Sequence, residues 1–141
     1  MSEQTRTKKT LTIALMDGPY VSNNPTTVFR IVDAALHKGY DVNVFAYESA
    51  VELSIAKQQP HQNPVKGRTV EEADHPTTKR LVENLFAASR RNGAKLDWIA
   101  CGLCVDERGS FDQVEGVRRG GPGDFLAWAQ QSDQTLVIGT K

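Results

Sequence analysis

The chain has 141 residues, which is enough for one domain with a substantial hydrophobic core. Hydrophobic residues make up 39% and charged residues 24%, a balance that is typical of globular rather than disordered proteins. The 17 Lys and Arg residues equal the 17 Asp and Glu residues, so bulk charge does not favour binding along nucleic acid or to an anionic membrane. No apolar run approaches the roughly 20 residues of a membrane helix, and the polar N-terminus lacks a signal-like core. These features predict a cytoplasmic protein without a direct nucleic-acid or membrane partner.

The first half of the chain begins with a strand, a helix and a second strand. Residues 1–9 have no hydrophobic periodicity and are expected to form a flexible tail. Apolar residues over 10–15 predict a buried strand. Asn24 as N-cap and Pro25 as first helical residue predict a helix that ends at Lys38-Gly39. A strand over 42–45 completes a unit whose two strands should be parallel.

A short helix, a long polar segment and a second long helix are predicted next. Ser49 and Glu52 have capping-box spacing and should start the short helix. Residues 57–77 are polar and contain several prolines, which favours either a lid over a functional site or a tolerated surface insertion. Hydrophobic periodicity then predicts a helix from near Pro76 to Arg91, followed by Gly93 as a stop signal.

The last third of the chain predicts two more strands and further helices. A strand over 96–100 leads directly into Cys101, and Ser110 and Gln113 have the spacing to cap a short helix carrying Val114 and Val117. The sequence ends with a predicted helix over 124–131 and a strand over 135–138. The alternation predicts a single α/β domain over residues 10–141, a three-layer α/β/α sandwich with a mostly parallel sheet of about five strands.

Ligand sites of parallel sheets lie at the carboxyl ends of the strands, so we expect a functional site in one or more of three segments that follow strands. They are residues 17–24, 46–49 and 101–109. Only the third segment contains cysteines. If it turns into a helix after Cys101, amide N–H groups would face the sulfur and favour its nucleophilic thiolate form, with Arg108 as a nearby cation. The alternative is that Cys101 is a small buried residue with a packing role.

Cys101 and Cys104 form the only Cys-x-x-Cys motif. A disulfide between them is feasible, but the motif follows the third strand, unlike a thioredoxin-type site. A zinc site would need further ligands from His37, His61 or His75, which have no paired spacing. The glycines at 120, 121 and 123 do not follow a predicted strand, so they do not form a dinucleotide fingerprint. We therefore expect neither a metal nor another cofactor.

Several segments together resemble the DsrE/DsrF-like sulfur-relay family, which includes TusD-like proteins. The resemblance rests on the turn Asp17–Tyr20 (DGPY), on His37–Phe45 (HKGYDVNVF), on Ile99–Cys101 and on Cys101–Gly109 (CGLCVDERG). Glu115–Val117 and Ser132-Asp133 also fit, so the similarity spans about residues 10–138. The sequence departs from relay members of the TusD type in having Cys104 and the long segment 57–77.

The resemblance implies a function and a set of site residues. It implies a five-stranded parallel sheet, a homo-oligomer (trimer or hexamer), and a persulfide on Cys101 that is received from a sulfur donor protein and passed to an acceptor carrier protein. Alternatives are a dithiol redox or small-ligand binding module and a non-enzymatic oligomeric scaffold. The expected catalytic and binding residues are Cys101, Cys104, Gly18, Pro19, Tyr20, Arg108 and Gly109.

Overall fold

One parallel sheet of five strands lies at the centre of the structure, a computed structural model that describes residues 8–60, 69 and 77–140. The strand order is β4-β3-β2-β1-β5, and each neighbouring pair is parallel. The predicted α/β class with a parallel five-stranded sheet is confirmed. The strands are β1 (Thr10–Leu15), β2 (Asp41–Ala46), β3 (Leu96–Cys101), β4 (Val117–Gly120) and β5 (Gln134–Ile138).

Helices cover the two faces of the sheet and give the predicted three layers. The helices are α1 (Asn24–His37), α2 (Thr78–Arg91), α3 (Gly102–Arg108) and α4 (Pro122–Gln131), with a 3₁₀ helix at Glu48–Ser54. The first two helices pack their apolar stripes on one face, where Trp98 of β3 is fully buried. The opposite face carries Phe45 and Ile99 and is covered by α3 and by half-buried residues of α4. The larger hydrophobic cluster therefore lies on the α1–α2 side.

The predicted starts of α1 and of the last helix differ from the structure. The N-cap of α1 is Asn23 rather than Asn24, and the Asn24 side chain instead donates hydrogen bonds to Asp17 and to the carbonyl of Gly139. That long-range pairing joins the ends of β1 and β5, which local capping rules do not anticipate. The last helix begins at Pro122, two residues before the predicted start, because a proline fits the first helical position.

The predicted capping box at Ser49 does not form. The segment is a 3₁₀ helix with Tyr47 as its N-cap residue, and no side chain caps it. The Ser49 hydroxyl donates to the carbonyl of Met16 at 3.2 Å instead. A tertiary hydrogen bond to the end of β1 has therefore replaced the local one.

The predicted short helix after Ser110 is also absent, and the strand β4 was missed. Gln113 forms an isolated antiparallel bridge with Ile55, and its side chain donates to the carbonyls of Ser110 and Val51. These contacts fix Gln113 beside the segment that contains Ile55, and a turn at Glu115-Gly116 then leads the chain into the sheet at Val117. Four residues of an edge strand are too few to show a clear alternation of polar and apolar residues.

Some predictions fall on parts of the chain outside the described residues. Residues 1–7 of the predicted tail and residues 61–68 and 70–76 of the long polar segment are among these, as are His61 and His75. Within the described ranges, no helix has the length and apolar character needed to cross a membrane.

Gly116 is a position where the fold needs glycine, and we expect Gly116→Ala to destabilise the protein. Its φ is +100°, and a Cβ there would lie 2.9 Å from the ring of buried Phe86. We expect a loss of about 1–3 kcal/mol in the free energy of unfolding, measured by urea denaturation. The matched control is Gly123→Ala in α4, where a Cβ would meet no atom within 4 Å apart from the backbone of its own helix and its chain neighbours, and a gain of up to about 1 kcal/mol is expected. Equal stability of the two variants would contradict this explanation.

Candidate functional site

The three segments that sequence analysis placed at one sheet edge do leave the sheet together. Strands β1, β2 and β3 are adjacent and parallel, with Leu15 paired to Ala46 and Ala46 paired to Ala100. Cys101, the last residue of β3, is paired to Gly120 of β4. The segments after β1, β2 and β3 therefore emerge side by side at the carboxyl edge.

Cys101 lies at the junction between β3 and α3. It is both the last strand residue and the N-cap of the helix, so the predicted strand-to-helix turn is present. Its side chain is 3% exposed and packs in the apolar cluster that includes Val51 and Val105. The thiol is free. The structure thus presents a shielded sulfur at the edge of the sheet where ligand sites of parallel sheets are found.

Cys104 follows one turn later and contacts both Cys101 and the end of β2. Its sulfur accepts a hydrogen bond from the backbone N–H of Glu48 at 3.2 Å, and it is 5% exposed. Burial is the main cause that raises the pKa of Cys104 to about 11, and the neighbouring Cys101 side chain adds to the shift. The Cys104 side chain is therefore a protonated thiol at neutral pH.

Glu48 connects the cysteine pair to Arg108. Its backbone is left-handed, with φ of +54°, a conformation that is uncommon for a residue other than glycine. Its carboxylate pairs with Arg108, at 3.2 Å between Oε2 and Nη2. Arg108 also lies 3.8 Å from Glu107. The cation is thus at the far end of α3, about 10 Å along the helix from Cys101, and its effect on the sulfur stays a prediction.

Arg119 of β4 is a cation near Cys101 that sequence analysis missed. Its two terminal nitrogens each lie 3.0 Å from an oxygen of Asp106, and one also donates to the carbonyl of Gly102 at 3.1 Å. These hydrogen bonds lower the pKa of Asp106 and are the main cause of the raised pKa of Arg119, to which negative charge at Cys101 also contributes. The guanidinium is therefore within electrostatic reach of the sulfur and fixes the first turn of α3.

Tyr47 is a second residue near the sulfurs that was not singled out, although it lies in the predicted segment 46–49. Its ring stacks on Phe45 with 5.7 Å between centroids. The pKa of Tyr47 is raised, mainly by the charge that Cys104 carries when it ionises at high pH, with burial next and smaller contributions from Glu48 and Cys101. The sequence could have pointed to Tyr47, because it directly follows β2 and β2 lies next to β3, the strand that ends at Cys101.

The remaining predicted site residues lie on two sides of this group. Gly18 is buried against Ser49, since a Cβ at Gly18 would lie 2.8 Å from the Ser49 carbonyl oxygen. Pro19 is half-buried, and Tyr20 is exposed with φ of +66°. Gly109 ends α3 in a left-handed conformation with φ of +64°. The turn after β1 is therefore joined to the segment that contacts Cys104, while a binding role for these four residues stays a prediction.

Metal ligands do not converge in the part of the chain that the structure describes. Within residues 8–60, 69 and 77–140, no three His, Cys, Asp or Glu side chains are placed to hold an ion together. The chemistry that this edge offers is that of the two sulfurs and the charged groups beside them.

The protonated state of Cys104 leads to a pH-dependent prediction. With a pKa of about 11, roughly one Cys104 thiol in a hundred is ionised at pH 9, whereas about half would be ionised in the unfolded chain. We expect alkylation of Cys104 by iodoacetamide at pH 9 to be at least tenfold slower in the native protein than in urea. Peptide mapping by mass spectrometry measures this, and similar rates would show that Cys104 is an ordinary thiol.

Comparisons with known proteins agree with this architecture. A model of the DsrE/DsrF-like family matches residues 9–138. An uncharacterized protein of Methanocaldococcus jannaschii is 26% identical over 129 residues, covering 90% of this chain and 97% of the relative. The crystal structure of the ychN protein from E. coli superposes with a TM-score of 0.72 at 19% identity, covering 94% of this chain and all of that one. The last similarity concerns the fold.

Proposed function

The chain belongs to the DsrE/DsrF-like family, and we propose that it is a sulfur carrier that holds a persulfide on Cys101. The observation that carries this proposal is the placement of the Cys101 sulfur. It is shielded at the end of β3, next to the protonated thiol of Cys104 and within electrostatic reach of the Arg119 guanidinium. The thiolate is the nucleophile in thiol exchange, and a sulfur beside a cation is suited to that role.

The proposed transfer consists of two thiol exchange steps. The Cys101 thiolate attacks the terminal sulfur of a donor persulfide, and a new S–S bond forms while the donor's S–S bond breaks. The donor leaves as a thiolate. An acceptor thiolate then attacks the terminal sulfur of the Cys101 persulfide. The terminal sulfur is transferred to the acceptor, and Cys101 leaves as a thiolate. No electrons are gained or lost overall, so the cycle requires no cofactor.

One experiment separates this proposal from the two alternatives. The purified, reduced protein is incubated with a small persulfide donor and its intact mass is measured. A gain of one sulfur atom supports the carrier. A loss of two hydrogens indicates a Cys101–Cys104 disulfide and a dithiol redox protein, which the placement of both cysteines in one buried cluster also permits. An unchanged mass supports the third alternative, an oligomeric scaffold in which the cysteines have only a packing role.

The partners and the location follow from the same proposal. A carrier needs a donor protein and an acceptor carrier protein, both with reactive sulfur. A cytoplasmic location fits because its reducing conditions keep both cysteines free, as they are here.

We also expect the protein to be a homo-oligomer, with a trimer or hexamer favoured. The helix α4 buries none of its residues fully, and on the same side of the sheet Leu126 is 60% exposed and Val137 is 58% exposed. Apolar side chains left exposed in this way are stabilised by contact with another copy. Light scattering at micromolar concentration should give a multiple of 15.5 kDa. A monomeric mass at that concentration would contradict this expectation.

A further inference from the structure

Resting on the proposed homo-oligomer and not on the sulfur chemistry, we propose that the outer edge of β5 is an interface between two copies of this chain. The β5 strands of the two copies pair antiparallel about a two-fold axis and join two five-stranded sheets into one continuous sheet. A two-fold interface of this kind is self-complementary and closes after two copies. It is compatible with a hexamer and not with a trimer.

The sequence of β5 is that of an interior strand. Gln134–Ile138 (QTLVI) contains three consecutive apolar residues and no charged residue. Such runs are typical of parallel strands that are buried on both faces and paired on both sides. In the part of the chain that the structure describes, however, β5 lies at one end of the strand order and pairs with β1 alone. An interior type of strand therefore occupies an edge of the single subunit.

Both faces of β5 are incompletely covered. On the α4 side, Val137 is 58% exposed, whereas Ala14, the residue paired with it on β1, is 3% exposed. On the α1 side, Leu136 and Ile138 are only half-buried where they pack against the larger hydrophobic cluster. A groove of about 490 Å³ lies on this side between α1 and the start of β5 and is lined in part by Ile31. A neighbouring strand with its own side chains would bury these apolar groups.

The opposite edge of the sheet is protected in the usual way. The β4 strand carries Arg118 and Arg119, which form ion pairs with Asp97 at 2.8 Å and with Asp106 at 3.0 Å. The Arg118 guanidinium also lies 5.9 Å from the centre of the Trp128 ring. Charged side chains on an edge strand oppose its pairing with another chain. The two edges thus differ, and only β5 has the character of a pairing edge.

The partner that fits this edge best is a second β5. The unpaired N–H and C=O groups of an edge strand are complemented by another strand. Antiparallel pairing centred on Leu136 would place the Leu136 residues of the two copies side by side and Thr135 opposite Val137, without any like charges in contact. The α4 helices of both copies would lie on the same face, where Leu126 is 60% exposed. Pairing with β4 of another copy would instead place the two arginines beside this apolar strand.

The first test is a disulfide cross-link across the two-fold axis. Directly opposed residues of antiparallel strands have Cα atoms about 4.5–5.5 Å apart, which suits a disulfide. We expect Leu136→Cys to give a covalent dimer under mild oxidation on a non-reducing gel. Glu83→Cys, at an exposed position of α2, is the matched control and should remain mostly uncross-linked. Wild type controls for the two native cysteines, which are buried.

The second test reverses charge across the proposed strand pair. Thr135 and Val137 are both exposed, so their replacement should leave the fold intact. In Thr135→Lys/Val137→Lys each new lysine would face a lysine of the other copy, and we expect light scattering at micromolar concentration to give half the wild-type mass. In Thr135→Lys/Val137→Glu each lysine would face a glutamate, and the wild-type mass should return. Circular dichroism checks that both variants are folded.

Several results would overturn the proposal. A wild-type mass for a folded Thr135→Lys/Val137→Lys variant would do so, and so would equal cross-linking of Leu136→Cys and Glu83→Cys. A trimeric wild type would refute the β5 interface while leaving the homo-oligomer in place, whereas a monomeric wild type would refute both. If the double-lysine variant does not fold, cross-linking of Leu136→Cys decides the question, because that variant adds no charge.

Discussion

Replacing Cys101 with serine should abolish persulfide loading while leaving the fold intact. The serine hydroxyl remains protonated at neutral pH and forms no bond to sulfane sulfur, so the nucleophile is lost. Serine is nearly the same size as cysteine, and at a residue that is 3% exposed the exchange costs about 1–2 kcal/mol of stability. Intact-mass measurement after incubation with a persulfide donor should show no added sulfur.

The matched control for this prediction is Cys104→Ser. It makes the same chemical change one helical turn away in the same buried cluster. We expect this variant to load most of the sulfur that wild type loads. Equal loading of Cys101→Ser and wild type would show that the reactive sulfur is elsewhere.

The position of Cys101 could be predicted from the sequence because it depends on one general property of the fold. Parallel strands end at the same sheet edge, and the apolar run over 96–100 ends directly at Cys101. The two long helices were predicted within a few residues for a similar reason. Their apolar stripes and terminal signals are local features, as in α2, where Thr77 caps the start.

The remainder of the site depends on tertiary contacts that no local pattern encodes. Arg119 reaches Asp106 and Gly102 only because β4 pairs with β3. This four-residue strand was not predicted, and its first residue, Val117, was predicted to lie in a helix. The left-handed backbone of Glu48 is likewise fixed by contacts with distant segments, one of them the ion pair with Arg108. The sequence therefore identifies the position of Cys101 and does not identify most of the groups around it.

Gly18 links the turn after β1 to the cysteine pair, and we expect Gly18→Ala to impair sulfur loading. The new Cβ would lie 2.8 Å from the Ser49 carbonyl oxygen, which is a backbone atom and can move only with its segment. Ser49 follows Glu48, whose N–H donates to Cys104. We expect a loss of about 1–3 kcal/mol in the free energy of unfolding and a loading rate at least several-fold lower than wild type.

Two measurements on matched variants distinguish this effect from general loosening of the fold. Gly123→Ala is the same exchange at a position where the new Cβ would contact no other segment of the protein, so its loading rate should equal that of wild type. Gly116→Ala displaces the ring of Phe86 on the opposite face of the sheet, where Trp98 lies, and should lower stability without slowing loading at a temperature where it remains folded. Slower loading in Gly18→Ala but not in an equally destabilised Gly116→Ala would connect the turn to Cys104 through Ser49 and Glu48. If both variants slow loading equally, the effect belongs to stability alone, and Gly18 has no specific part in the site.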